Sequence, residues 1–251
     1  MTRIILLIIV VGILFLIYWY YDKIFYTEIS EPKGPQTGCN QLSSGNKSNK
    51  NRYNNKTNTK TKRDYLARVN EFPKAEAASI AKKFGQEYWD GDRKFGYGGF
   101  KYDGRWRVVA ENIANHYGLK SGDKVLDIGC GKGFLLYELT QVVPGLEIRG
   151  LDISLYGIQH AKEEVKPFLI HGSATILPFE TDTFDLVISI NTLHNLYCYE
   201  LDQALREIQR VGKNHKYIVA ESYRNEIEKA NLLYWQLTCE SFYTPEEWVW
   251  W

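Results

Sequence analysis

Cysteine is scarce in this chain and unpatterned: Cys39, Cys130, Cys198 and Cys239 share no short spacing. That excludes a zinc ribbon or a disulfide framework and reads as reduced thiols, with no metal site expected. Basic charge is scarce where a nucleic-acid binder would need it. Residues 1–63 hold 10 Lys/Arg and 3 Asp/Glu, which leaves 21 basic and 27 acidic residues for 64–251. A globular part of acidic balance has no electrostatic footprint for DNA or RNA, so no nucleic-acid partner is expected.

The run from Ile4 to Tyr21 lacks any charge and any polar face, and no small-residue cleavage site follows it. The first absence speaks against a soluble core helix, the second against a secretory signal peptide. At 1.5 Å per residue the run would span roughly 27 Å, enough for a bilayer core. Tyr18, Trp19, Tyr20 and Tyr21 give it an aromatic end suited to the membrane interface. Residues 1–22 are therefore expected to be a retained single-pass transmembrane anchor, with membrane contact through residues 4–21. Arg3 stands alone before the run, whereas Lys23 and a series from Lys33 to Arg63 follow it. The bias places the C-terminal side, and the catalytic domain with it, in the cytoplasm. Residues 23–63 are mostly Asn, Lys, Ser, Thr and Gly, and are expected to be a disordered basic tether.

What is present is concentrated in Val125-Leu126-Asp127-Ile128-Gly129-Cys130-Gly131-Lys132-Gly133-Phe134. An apolar run ends in an acid and a Gly-rich turn, and Leu135, Leu136 and Leu139 open a helical period. This predicts a strand, a tight turn and a helix N-terminus, the crevice geometry of open α/β sheets. The third glycine of a dinucleotide fingerprint would fall on Phe134, and no Gly-Lys-Ser/Thr phosphate loop exists. The pattern is D-x-G-x-G, with Asp127 at the strand end, where a carboxylate suits a ligand bearing an ammonium and a sulfonium.

This motif resembles motif I of the class I S-adenosylmethionine-dependent methyltransferases, and later residues follow that family in order. Leu146–Ile153 resembles the second strand; it places Asp152 25 positions after Asp127, where the family's ribose-binding acid is expected. Helix N-capping is an alternative role for Asp152. Phe168–Gly172 resembles the third strand, with Ser173 and Ala174 in the adenine position, where Ser173 stands in place of the usual acid. Leu177-Pro178-Phe179 and Asp182–Ser189 resemble the passage into the fourth strand, and His215–Glu221 gives the fifth. The resemblance implies a doubly wound, mostly parallel α/β sheet, a Rossmann-like methyltransferase fold, over residues 119–251. It implies S-adenosylmethionine as cofactor, with Asp127, Gly129, Cys130, Gly131, Gly133, Asp152, Ile153, Ser173, Ala174 and Asn191 as its binding residues. The acceptor is expected to be a small molecule, a sugar or a lipid precursor. His194 has a reference pKa near neutrality and is the candidate general base; positioning of its loop is the alternative.

Residues 64–118 are expected to form helices and an aromatic, Gly-rich segment from Tyr88 to Trp106. It serves either as a lid, with Tyr97, Tyr102, Arg93 or Arg105 reaching the ligands, or as a loop packed by its own rings. After the fifth strand, Asn225–Glu240 reads as a helix and Pro245 as the start of another. No residues remain for the family's C-terminal strand hairpin, so the fifth strand is expected to have an open edge, through truncation or because five strands suffice. A membrane-anchored cofactor-binding or scaffold protein without turnover is the alternative to an enzyme.

Overall fold

A computed structural model describes residues 25–29 and 65–251 of the chain. The run from Ile4 to Tyr21 lies outside the described residues, as does the tether apart from 25–29. Among the described residues no helix is long and apolar enough to cross a membrane.

The strands are β1 (Phe25–Ile29), β2 (Lys124–Ile128), β3 (Glu147–Asp152), β4 (Leu169–His171), β5 (Phe184–Ile190) and β6 (Gly212–Ser222). They form one sheet in the order β1-β6-β5-β2-β3-β4. The pairs of β2 with β3 and β5, of β3 with β4 and of β5 with β6 are parallel. Strand order reverses at β2, so the turn after β2 opens at the switch point of the sheet, where such folds bind ligands.

Alternation along the strands divides the core between the two faces. Val125, Leu186, Ile188, Tyr217 and Val219 meet one layer, made from α4 (Arg107–Tyr117) and α5 (Phe134–Val142). Leu126, Val187, Ile218 and Ala220 meet Leu201, Leu205 and Ile208 of α7 (Cys198–Val211) on the other. The helix after Asp152 is short, α6 (Leu155–Gln159), and that expected to Glu240 stops as α8 (Glu226–Trp235). The helix-prone stretch before the aromatic segment divides into α2 (Lys74–Ala81) and α3 (Gln86–Trp89), after a short α1 (Tyr65–Glu71).

The expected open edge is corrected. The edge of the fifth parallel strand is not open: β1 pairs antiparallel with it, from Phe25 opposite Ser222 to Ile29 opposite Ile218. Residues 25–29, read above as tether, therefore satisfy the backbone groups that would otherwise invite association. The C-terminal tail has a partner as well. In α9 (Pro245–Trp250), Trp248 is buried and its indole N–H donates to the Glu221 carbonyl at 3.0 Å. Thr244 and Glu247 cap this helix reciprocally, with Pro245 in its first turn as expected.

Candidate active site

The glycine turn has the conformation its sequence demands. Gly129 has φ +80° and Gly131 φ +55°, a region that side-chain-bearing residues adopt at a cost. Both are also crowded: a Cβ on Gly129 would overlap Thr192 Oγ1, and one on Gly131 would lie 2.8 Å from the Trp89 ring. Backbone hydrogen bonds from Gly129 and Cys130 to the Leu151 carbonyl hold the turn against β3.

Asp127, Gly129, Cys130, Gly131 and Asn191 come together along one cleft, roofed by Trp89, Tyr97 and Phe100. Asp127 is buried, and no hydrogen bond or cation reaches its carboxyl among the described residues. Burial, and then the nearby charge of Asp152, raise its pKa to about 7. A carboxylate desolvated in this way favours a cationic ligand. Asn191 stands after β5 with φ +56°, and its backbone N–H donates to the Val219 carbonyl.

Asp152 lies beneath the turn rather than on the wall of the cleft. Its carboxylate accepts the Gly131 N–H and the Ser154 N–H, each at 2.7 Å. Burial raises its pKa, while the Ser154 and Gly131 N–H bonds oppose the shift. Each carboxylate oxygen keeps a further lone pair, so ribose hydroxyls remain within its capacity. The N-cap of α6 is Ser154, whose Oγ accepts the Gly157 N–H. Gly133 precedes α5 as its N-cap. Ile153 is half exposed, Ser173 Oγ is 2.8 Å from Thr175 Oγ1, and Ala174 is buried in the core. These four residues lie outside the lining of the cleft.

His194 belongs to a neighbouring cleft, which shares Tyr97 and Asn191 with the first. It is buried, and its Nδ1 accepts the Glu221 backbone N–H at 3.2 Å. Burial lowers its pKa to about 3, so the ring is neutral with the proton on Nε2. Its one basic nitrogen is thereby engaged, which favours the positioning role over general base.

The aromatic segment both packs by its rings and covers the cleft. Tyr97 stacks on Trp89 and Phe100 on Phe134, with centroids 5.2 and 5.0 Å apart. Trp89 lies over Gly131, and its indole N–H donates to Ser154 Oγ at 2.7 Å. Asp90 accepts Lys132 Nζ at 2.7 Å and the Tyr156 hydroxyl at 2.9 Å. Tyr102 instead donates to Glu138, whereas Arg105 lines the cleft while pairing with Asp103, and Arg93 lines the neighbouring cleft while donating to the Gly96 carbonyl. Sequence reasoning missed the Trp89, Asp90 and Lys132 contacts. The available signal was an acid beside a tryptophan in the aromatic segment and a lysine inside the glycine turn.

Comparison with known proteins identifies the family. A family model described as a methyltransferase domain matches residues 119–250. A demethylmenaquinone methyltransferase of Lysinibacillus sphaericus is 35% identical over 128 residues, 49% of this chain and 53% of that protein. An uncharacterised protein of Methanocaldococcus jannaschii is 37% identical over 113 residues, 45% of this chain and 42% of that protein. This chain thus spans about half the length of the curated relatives it matches. A solved structure of a putative S-adenosyl-L-methionine-dependent methyltransferase from Methanococcus maripaludis aligns at 21% identity with a TM-score of 0.42, over 69% of this chain and 73% of that one. The family match covers more than half of the residues, and the chain belongs to the methyltransferase-domain family.

Proposed function

We propose that this member of the methyltransferase family moves a methyl group from S-adenosylmethionine to a small-molecule acceptor, with the donor in the cleft over the glycine turn. The observation that carries the proposal is Asp127: a buried carboxyl on the cleft wall with no cation among the described residues to pair it. An α-ammonium group supplies the missing charge. A pyrophosphate would be repelled, which argues against a dinucleotide.

The donor's chemistry, when it is bound, is a sulfonium that makes the methyl carbon electrophilic. The protein's part is to bind, orient and exclude water. Asp127 and the turn from Gly129 to Gly133 take the amino-acid portion, and Asp152 takes the ribose through its free lone pairs while holding the turn. Ser173 and Ala174, with Ile153, lie at the ends of β3 and β4 on the adenine side. Trp89, Tyr97 and Phe100 close the cleft from above.

The anchor belongs to the same proposal. Only three residues separate Tyr21 from Phe25, which pairs with Ser222 at the end of β6 bordering the second cleft. A bilayer-spanning Ile4–Tyr21 would hold that end within roughly 14 Å of the membrane, the reach of four extended residues. This favours a lipid precursor among the possible acceptors. The relatives named as demethylmenaquinone methyltransferases support a small-molecule acceptor.

The test is a titration of the full chain with S-adenosylmethionine, S-adenosylhomocysteine and NAD, followed by incubation with a metabolite and lipid extract read for mass gain of one methyl. Binding of the first two together with methyl gain is expected. Binding without methyl gain would favour the scaffold alternative, and binding of NAD alone would overturn the proposal.

A further inference from the structure

The second cleft contains an ionisable cluster that cofactor binding does not use. Glu221, on the penultimate position of β6, is 2% exposed and lines this cleft with His194, Asn195 and Gln236. Its Oε2 accepts the Gln236 side-chain N–H, and lies 3.9 Å from His194 Nε2. No lysine or arginine pairs with it among the described residues. Asn195 Oδ1 is buried nearby without a hydrogen-bond partner. The cleft adjoins the cofactor cleft through Tyr97 and Asn191. A carboxyl in these surroundings is stable as the neutral acid, and becomes a carboxylate only when a cation stands near.

Resting on the proposed function, we propose that Glu221 accepts the proton that the acceptor's amine or hydroxyl gives up during methyl transfer, with His194 and Gln236 as positioning residues. The acceptor's lone pair forms the bond to the methyl carbon, and the carbon–sulfur bond leaves its pair on sulfur. The displaced proton passes to a Glu221 oxygen. One positive and one negative charge enter the step and neither survives it. A dry site favours that outcome, because both charges are costly there and neither product is charged. The class of acceptor follows: a group that gives up a proton on methylation, such as an amine or hydroxyl, and not a carboxylate, which would be repelled by Glu221 and has no proton to give.

The surrounding groups do not compete for this role. His194, from the turn after β5, is kept neutral by burial. Tyr88 of α3 is kept protonated by burial and by Tyr97, and Cys239, after α8, by burial and by Glu221 itself. Arg93 of the aromatic segment faces the Trp235 ring at 5.0 Å. Of the groups lining this cleft, Glu221 is the one carboxyl, and burial raises it to about 8, within reach of neutrality, with the Gln236 hydrogen bond opposing the rise.

The test needs no acceptor. S-adenosylmethionine carries the sulfonium charge and S-adenosylhomocysteine does not, while both carry the ammonium that meets Asp127. Titration calorimetry of the full chain at pH 7, in two buffers of different ionisation enthalpy, counts the protons released by each. The sulfonium form should release close to one proton more. In Glu221→Gln, near in shape and neutral like the acid, that difference should vanish while both ligands still bind. Gln236→Met removes a donor to the carboxylate and should move the extra release to higher pH. An equal difference in the parent and Glu221→Gln, with both ligands bound, would overturn the role of Glu221. Failure of either ligand to bind the parent would instead sink the cofactor proposal, and this inference with it.

Discussion

Lys132 Nζ meets the Asp90 carboxylate at 2.7 Å, and the contact ties the aromatic segment to the glycine turn. Lys132 also donates to the Phe100 carbonyl at 2.9 Å, so one ammonium holds both ends of the segment that roofs the cleft. The Lys132 side chain is 6% exposed and that of Asp90 25%, so the pair is neither fully buried nor freely screened.

Asp90→Asn should loosen this roof. Removing one partner of a buried pair costs about 3–5 kcal/mol, and the partial exposure of Asp90 lowers the expected loss to about 1–3 kcal/mol. Burial raises the Asp90 pKa, but hydrogen bonds from Lys132 and Tyr156 and the Lys132 charge bring it below the ordinary value. Its stabilisation is therefore present above the unfolded carboxylate pKa, and is lost as pH falls through the lower folded one. Hydrogen exchange at the Gly99 and Phe100 amides, both bonded to the Trp89 carbonyl, reads the opening. Exchange should rise in the variant at pH 7, and in the parent only below the usual carboxylate range.

Glycine substitutions separate strain from crowding. Gly118 has φ +62° and open space around a Cβ, so Gly118→Ala tests strain alone, at roughly 1 kcal/mol. Gly131→Ala adds the contact with Trp89 and should lose about 1–3 kcal/mol, and Gly129→Ala, against Thr192, should lose most. Thermal unfolding of the three variants gives the order.

Deletions of different length test the edge strand. A chain beginning at Lys23 keeps β1, whereas one beginning at Asp64 exposes Ile218–Ser222 of β6. The shorter chain should associate or melt lower, and the longer one should remain as stable as the full chain in detergent. Light scattering and melting curves distinguish them, and equal behaviour would mean that β1 contributes nothing to the edge.

The strand, glycine turn and helix around Asp127 were legible because each step is local: an apolar run, residues that tolerate positive φ, then a 3.6-residue period. The same is true of Pro245 in the first turn of α9. β1 was not legible, because Phe25–Ile29 has no local signal beyond five residues of mixed character, and its partner Ile218–Ser222 lies almost two hundred positions away. His194 stands in the turn after β5, but its burial depends on Glu221, Glu240 and Ser241, which come from β6 and the segment after α8. The Glu221 cluster escaped for the same reason: a glutamate ending an apolar strand gains meaning only from the chain folded over it.

The raised pKa of Asp127 gives the protein a pH dependence of its own. A carboxyl whose folded pKa is about 7 stabilises the fold fully below its unfolded value, and loses that contribution as pH rises through 7. Asp127→Asn should therefore raise the melting temperature of the ligand-free protein at pH 8 and change it little at pH 4. The sign at pH 8 reverses if a cation of the protein already pairs with the carboxylate.

Calorimetric titration of S-adenosylhomocysteine into the parent and into Asp127→Asn measures the central claim most directly, because it isolates the ammonium–carboxylate contact from the sulfonium. The parent should bind, and Asp127→Asn, folded by circular dichroism, should bind more weakly by about 1.5–3 kcal/mol, the worth of a hydrogen bond to a charged group. Equal affinity in the two proteins would contradict the assignment of the cleft over the glycine turn as the methyl-donor site.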